Sequence, residues 1–144
     1  MYDVREAADA DVAPVQRVDA SLEQRETAPE IVRKAIDEGK LLVALDGDEV
    51  IGYVRWDNFW DQIPLCVLVR VTPAHQRRGA GRALYRALEE RLRAAGRTFW
   101  LSSLEEDNER SRLFHESLGF RRIGALEGLN ENGVREVFYR KDLA

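Results

Sequence analysis

The chain has 144 residues, of which 44% are hydrophobic and 33% charged, and its formal net charge is −4. This length and composition predict one soluble globular domain, residues 1–144, and the acidic balance argues against a nucleic acid as the main partner. No apolar run is long enough to span a membrane, residues 1–12 lack the apolar segment of a signal peptide, and the one cysteine cannot form an internal disulfide. We therefore expect a cytoplasmic protein with no membrane partner.

The N-terminal segment predicts a strand followed by a helix. Residues 2–7 alternate between polar and apolar side chains, which is the period of a strand with one buried face. Valines then recur at helical spacing, and Asp9 or Asp11 precedes them in the position of a helix cap. The pattern predicts a helix that runs to about Leu22.

A second helix and a β-hairpin follow. Thr27 precedes Glu30 by three residues, which is the spacing of a capping box, and the apolar residues after it predict a helix that ends at Gly39. Residues 40–56 then alternate in the manner of two strands. Their turn lies at 46–48, because the Asp-Gly pair there tolerates a positive φ.

Aromatic and acidic side chains are close together in the sequence after this hairpin. Trp56, Phe59 and Trp60 alternate with Asp57 and Asp61. Such a group could bind a cationic amine through cation–π and charge contacts. The alternative is that the rings pack in the core or in a loop, and the sequence leaves both interpretations open.

The central stretch of the chain changes its hydrophobic period once. Leu65–Val71 is apolar and rich in β-branched residues, which predicts a buried strand. Pro73 ends this strand because it has no N–H to donate. From Ala80 onward leucines recur every fourth residue, which predicts a helix that ends at Gly96. Between strand and helix lies the loop 76–81, with the sequence QRRGAG.

A strand, a glycine-rich basic loop and a helix N-terminus in this order indicate an anion-binding site. The first N–H groups of a helix have no intrahelical partner, and the helix dipole adds about half a positive charge there. Gly79 and Gly81 let the backbone approach an oxyanion without an intervening Cβ. Arg77, Arg78 and Arg82 offer forked donors suited to phosphate. A tight turn with solvated arginines is the alternative interpretation.

This stretch resembles the coenzyme A loop of the GNAT superfamily of N-acetyltransferases. In that family a strand is followed by V-x-P and then by Q/R-x-x-G-x-G/A at the start of a helix. Here the two motifs are Val71-Thr72-Pro73 and Gln76-Arg77-Arg78-Gly79-Ala80-Gly81. A Walker loop is excluded because no GxxxxGK[ST] occurs, and Leu84 stands where the dinucleotide fingerprint has its third small residue.

A second motif supports the resemblance. Residues 108–120, NERSRLFHESLGF, are similar to the family pattern N-x-x-A-x-x-x-Y-x-x-x-G-F, with Ser111 and His115 in place of the alanine and the tyrosine. In many family members that tyrosine is thought to protonate the departing thiolate. His115 could donate this proton or accept one from the amine, and a place in the last turns of a helix favours its charged form.

The remaining residues predict a fifth strand at 98–104, a helix at 108–118 and two final strands at 120–125 and 136–140. The resemblance implies an α/β fold with a GNAT-like mixed, largely antiparallel sheet. This sheet has six to seven strands, is flanked by about four helices, and is splayed between strands 4 and 5. The free backbone groups of 68–71 would then bind the pantetheine arm of the coenzyme.

The resemblance further implies that acetyl-CoA, without a metal, acetylates a primary amine of a small molecule or protein by direct attack in a ternary complex. An N–H near Val69 would face the developing oxyanion. Catalytic roles fall on His115, Ser111 and Asp61. Contacts with the coenzyme are expected at Val69, Arg70, Val71, Gln76, Arg77, Arg78, Gly79, Ala80, Gly81, Arg82, Asn108, Ser111 and Phe114.

Several alternatives stay open at this point. The base that deprotonates the amine could be Asp57, Asp61 or Glu105, each acting through water. A non-catalytic acyl-CoA sensor with the same fold would also explain the motifs and the replaced tyrosine. Nucleotide binding through the same loop is a third hypothesis. A homodimer would be in keeping with the family, in which dimers are common.

Overall fold

The computed structural model describes residues 2–19 and 28–143. Its strands are β1 (Asp3–Glu6), β2 (Leu41–Asp46), β3 (Glu49–Phe59), β4 (Ile63–Val71), β5 (Phe99–Glu105), β6 (Arg121–Leu126) and β7 (Glu136–Asp142). Its α-helices are α1 (Val12–Val18), α2 (Pro29–Asp37), α3 (Ala80–Ala94) and α4 (Glu109–Ser117), and short 3-10 helices lie at Asp9–Asp11 and Pro73–His75. The predicted order of strands and helices is confirmed. Within the described ranges no helix is long and apolar enough to cross a bilayer.

The strands form a mixed sheet in the order β1-β2-β3-β4-β5-β7-β6. β1 and β2, β2 and β3, β5 and β7, and β6 and β7 pair antiparallel. β4 and β5 pair in parallel, with Leu65 opposite Leu101 near the beginning of both strands. The predicted largely antiparallel sheet is therefore confirmed.

The chain divides into two compact units, one formed by Met1–Trp56 with Leu68–Arg91 and the other by Asp57–Val67 with Leu92–Ala144. In the first unit, one face of β2 packs against α1 and α2. The buried residues of this cluster are Val12, Val15, Val18, Val32, Ala35, Leu41, Val43, Leu45, Tyr53 and Leu68. The odd-numbered residues of β2 point to the helices because side chains alternate along a strand.

The core of the second unit is built around aromatic rings. Trp100 of β5 is fully buried, and its ring centroid lies 5.3 Å from that of Phe120, just before β6. The imidazole of His115 in α4 meets the edges of Phe120 and Tyr139 at centroid distances of 5.3 and 5.9 Å. Such edge-to-face pairs stabilise a core beyond the area that they bury.

The predicted cap of α1 has the right position but not the expected contact. Asp11 is the N-cap residue of α1 and lies with Asp9 in a 3-10 helix, but its carboxylate makes no capping hydrogen bond to α1. Asp11 is instead buried, and its carboxylate accepts hydrogen bonds of 2.7 Å from both the Ala8 N–H and the Arg5 guanidinium. Burial alone would raise the pKa of Asp11, but these two donors lower it below its ordinary value. The predicted helix end at Leu22 and the predicted capping box at Thr27 lie outside the described residues.

The segment with the aromatic and acidic residues extends the second strand of the hairpin beyond its predicted end at about Trp56. β3 continues to Phe59, and Trp60 and Asp61 make a two-residue turn in which the Gln62 N–H donates to the Phe59 carbonyl at 2.9 Å. Both turn residues have positive φ, 49° and 58°. Such turns usually contain Asn-Gly, and Trp60-Asp61 is not such a pair, so this turn could not be recognised from the sequence. Trp56 is buried in the first unit, whereas Trp60 is 80% exposed.

Candidate functional site

The basic loop in the first unit follows the end of β4. Pro73–His75 forms a 3-10 turn, and the Gln76 side-chain amide donates to the Val71 carbonyl at 3.0 Å. His75 is held by the Tyr2 hydroxyl, 3.0 Å from its Nδ1, and by Asp46, 3.8 Å from its Nε2. These contacts anchor the beginning of the loop, and no sequence motif indicated them.

The loop backbone leaves amide groups without helical partners at the N-terminus of α3. Ala83 donates the first intrahelical hydrogen bond, to the Gly79 carbonyl at 2.9 Å. The N–H groups of Ala80 and Gly81 precede that bond, so no helical carbonyl accepts from them. A Cβ built on Gly79 would meet no atom within 4 Å, and its φ is 92°. The space beside this glycine is therefore open to a ligand.

Two arginines directly precede this open glycine in the loop. Arg77 and Arg78 are exposed and form no ion pair with any residue that the structure describes. Arg77 has a φ of 61°, which is unusual for a residue with a side chain. Strained backbone of this kind clusters at functional sites. Unpaired guanidinium groups, free amides and an open glycine make this loop suited to a phosphate anion.

Next to the loop, the end of β4 carries a buried charge cluster. Asp19, at the end of α1, is 2% exposed and accepts a hydrogen bond from the hydroxyl of Tyr53, which is 1% exposed. Arg70 lies with its Nε 3.6 Å from the Asp19 carboxylate, and its Nη1 donates to the Val69 carbonyl at 2.9 Å. Burial first, and then the hydrogen bond to Asp19, raise the pKa of Tyr53 far above its ordinary value. Arg70 was among the predicted site residues, whereas no sequence motif indicated Asp19 or Tyr53.

The predicted proton donor His115 lies in the second unit, and both of its ring nitrogens are engaged. Nδ1 is 2.7 Å from the Ser111 carbonyl oxygen, which can only accept, so Nδ1 carries the proton. Nε2 then accepts from the Ser102 hydroxyl at 2.7 Å. His115 is 2% exposed.

Burial outweighs the influence that the helix end was expected to have on the charge of His115. Its position near the C-terminal end of α4 favours the imidazolium, but burial lowers the pKa of His115, and the hydrogen bond to the Ser111 carbonyl opposes this only in part. Removal from water outweighs the helix dipole because the side chain is enclosed by Phe120, Tyr139 and Ser102. The ring is therefore neutral at physiological pH.

Other predicted site residues of the second unit have local partners. Asn108 caps α4, its side-chain oxygen accepting from the Ser111 N–H at 3.0 Å. The Ser111 hydroxyl lies 3.4 Å from Nδ1 of His115, and the Phe114 ring meets the His115 ring edge-on with centroids 5.5 Å apart. Asn108, Ser111 and Phe114 are thus brought together around His115. Their contacts with coenzyme A stay a prediction.

The candidate bases occupy different places. Asp61 lies in the exposed turn after β3, and Asp57 is exposed on β3 itself. Glu105 ends β5, and its carboxylate accepts from the Asn132 side chain at 3.1 Å. The assignment of the base among these three carboxylates stays a prediction.

Comparisons with known proteins agree with this geometry. The sequence model of the "Acetyltransferase (GNAT) family" matches residues 9–120. A GNAT acetyltransferase from Bacillus cereus ATCC 10987 is 25% identical, with a TM-score of 0.84 over 99% of this chain and 97% of that one. A comparison with curated protein sequences gave no match.

Two further solved structures show the same fold. YncA of Salmonella typhimurium, solved with acetyl-CoA, is 22% identical with a TM-score of 0.82 over 99% of this chain and 94% of its own. A ribosomal-protein-alanine N-acetyltransferase from Brucella melitensis is 20% identical with a TM-score of 0.85 over 97% and 99%. Because the family match covers most of the chain, including the basic loop, this protein belongs to the acetyltransferase (GNAT) family.

Proposed function

We propose that the protein transfers the acetyl group of acetyl-CoA to a primary amine of a small molecule or protein, by direct attack in a ternary complex. The loop from Gln76 to Gly81 carries this proposal. Its free amides, its open glycine and its unpaired arginines match the pyrophosphate of coenzyme A. The acetyl-CoA bound to YncA of Salmonella typhimurium supports the same choice of ligand.

The backbone at the end of β4 would bind the pantetheine arm. Val69 and Val71 are only partly buried, and the Val69 carbonyl already accepts from the Arg70 guanidinium. That guanidinium lies beside Asp19, so the proposed coenzyme contact of Arg70 is made by its main chain. An N–H near Val69 would stabilise the oxyanion by about 2.7–4 kcal/mol, the usual contribution of one such donor.

In this proposal His115 does not protonate the departing thiolate, which is the role expected for the tyrosine that it replaces. A neutral ring protonated on Nδ1 has no proton on Nε2 to give, and its Nδ1 proton is directed to the Ser111 carbonyl. We infer that His115 positions the Ser102 hydroxyl and the first turns of α4. Direct proton transfer by His115, Ser111 or Asp61 stays a prediction that the kinetics of variants can decide.

Release of coenzyme A thiol from acetyl-CoA tests the proposal. The panel contains polyamines, amino acids, aminoglycosides and peptides with free N-termini, and mass spectrometry identifies the acetylated product. We expect thiol release with at least one class and a mass increase on its amine. Binding of acetyl-CoA without thiol release above background would instead support a non-catalytic acyl-CoA sensor. The neutral, buried His115 favours this second candidate, because it lacks the proton donor of a tyrosine. Stabilisation by NAD or ATP alone would support nucleotide binding.

A further inference from the structure

The cluster at Tyr53 in the first unit contains more positive than negative charge. Asp19 accepts from the Tyr53 hydroxyl and lies 3.6 Å from Nε of Arg70. Arg55 lies two residues after Tyr53 on β3, hence on the same face of that strand. The guanidinium groups of Arg70 and Arg55 both act on the Tyr53 hydroxyl through their charge, which lowers its pKa against the larger effects of burial and Asp19.

Arg55 has no partner for this charge among residues 2–19 and 28–143. Its Nε atom is buried and makes no hydrogen bond, and no ion pair involves its guanidinium. A buried donor without an acceptor destabilises the folded chain, and a charged donor does so more strongly than a neutral one. A ligand that supplies the acceptor would remove this cost when it binds.

Arg70 is only partly satisfied. Its Nε faces Asp19 and its Nη1 donates to the Val69 carbonyl, whereas its side chain remains 39% exposed. Among the described residues whose charge acts on the Tyr53 hydroxyl, Asp19 is one carboxylate beside the guanidinium groups of Arg70 and Arg55, which leaves one positive charge. A monoanion therefore matches this cluster better than a dianionic phosphate does. The planar guanidinium fork favours a carboxylate in particular.

We propose that Arg55 and Arg70 bind a carboxylate of the acceptor, so that the substrates of this enzyme are amines that also carry a carboxylate. The assignment rests on the proposed acetyl transfer and names the class of its substrate. Asp19 and Tyr53 hold Arg70 in place for this contact. The carboxylate would accept hydrogen bonds from the guanidinium groups of Arg55 and Arg70, and Nε of Arg55 is the donor that lacks an acceptor.

Matched pairs of acceptors test the role of the carboxylate. Glycine, β-alanine, 4-aminobutanoate and 6-aminohexanoate are each compared with the corresponding carboxamide, and kcat/KM is measured by thiol release. We expect at least one acid to be preferred over its amide by about 10- to 100-fold, the effect of a hydrogen-bonded charge. In the pairs of glycine and β-alanine, the amine of the carboxamide is less basic than that of the acid, so a larger fraction of it is neutral and able to attack. Amine protonation therefore cannot cause a preference for the acid. Equal or better use of every amide would overturn the proposal.

Variants of Arg55 test whether this residue makes the contact. Arg55→Lys keeps the charge and loses the fork, and Arg55→Gln loses both. We expect the acid-to-amide preference to fall about tenfold or more in Arg55→Gln and less in Arg55→Lys, with the KM for acetyl-CoA unchanged. Arg33→Gln, which alters an exposed arginine of α2, is the matched control and should keep the preference of the parent. An unchanged preference in Arg55→Gln would remove Arg55 from the site.

A binding measurement separates failure of this inference from failure of acetyl transfer. N-acetyl-β-alanine and its carboxamide, which cannot react further, are titrated calorimetrically into the protein saturated with coenzyme A. Binding of the acid alone, weakened in Arg55→Gln, would support the carboxylate site even if no amine releases thiol. Thiol release from amides and acids alike, with equal binding of both products, would leave acetyl transfer standing and reject the site.

Discussion

The Ser102 hydroxyl donates to Nε2 of His115 across 2.7 Å, and both side chains are almost completely buried. Because Nδ1 faces the Ser111 carbonyl, this bond completes a neutral imidazole with one donor and one acceptor. Protonation of the ring would place a second N–H against Ser102 and a charge in the core. The pair therefore links the protonation of His115 to the stability of the second unit.

The stability of the protein should fall at acidic pH partly through His115. Burial lowers its folded pKa below the ordinary 6.5, so the unfolded chain binds a proton more readily than the folded one. The contribution of neutral His115 is complete above pH 6.5 and is lost as the pH falls through the lower folded pKa. Urea unfolding at a series of pH values should show His115→Gln losing less stability than the parent between pH 7 and 5. Parallel curves for the two proteins would contradict this.

Ser102→Ala and His115→Phe should lower kcat to a similar extent, on the order of tenfold, with little change in the KM for acetyl-CoA. The reason is that His115, in its proposed role, positions the Ser102 hydroxyl and the beginning of α4, with which its two ring nitrogens form hydrogen bonds. Steady-state kinetics checks this, with the melting temperature recorded to detect loss of folded protein. A loss of 10² or more in His115→Phe, with Ser102→Ala at the parental rate, would instead indicate that His115 transfers the proton.

Gly79→Asp should abolish binding of acetyl-CoA while the chain still folds. A side chain at φ 92° is strained, and the open space that Asp would enter is the one proposed for the pyrophosphate, whose charge it would repel. Gly128→Asp is the matched control, because Gly128 has a φ of 79° and equally open surroundings in the loop before β7. Calorimetry should show normal affinity in the control. Weak binding in both variants would attribute the effect to folding rather than to the loop.

The turn between β3 and β4 should be strained at Asp61. Its φ of 58° costs a residue with a side chain about 1 kcal/mol relative to glycine. Asp61→Gly should therefore raise the free energy of unfolding by about that amount, whereas Asp61→Ala should not. Both variants lack the carboxylate, so a rate lost equally in the two would identify Asp61 as the base. If both variants keep the parental rate, Asp61 is not the base, and Asp57 and Glu105 remain as the candidates.

The fold could be predicted because its evidence is local. Alternation marked the strands, leucines four residues apart marked α3, and the Asp-Gly pair marked the turn after β2. The turn after β3 could not be predicted, because Trp60 and Asp61 both adopt positive φ although the pair contains neither glycine nor asparagine. The hydrogen-bond partners of the Asp11 carboxylate could not be predicted, because this carboxylate accepts from the Arg5 guanidinium, which no helix-capping pattern indicates.

By itself, the sequence was enough to predict a phosphate-binding loop at 76–81, since loop, glycines and helix start are contiguous and their geometry follows from backbone preferences. Only the tertiary structure decided the contacts of the other candidate site residues. Tyr53 reaches Asp19 across 34 residues and Ser102 reaches His115 across 13. The charge of a histidine and the pairing of an arginine depend on which groups pack around the side chain and exclude water. The spacing of residues along the chain does not determine which groups these are.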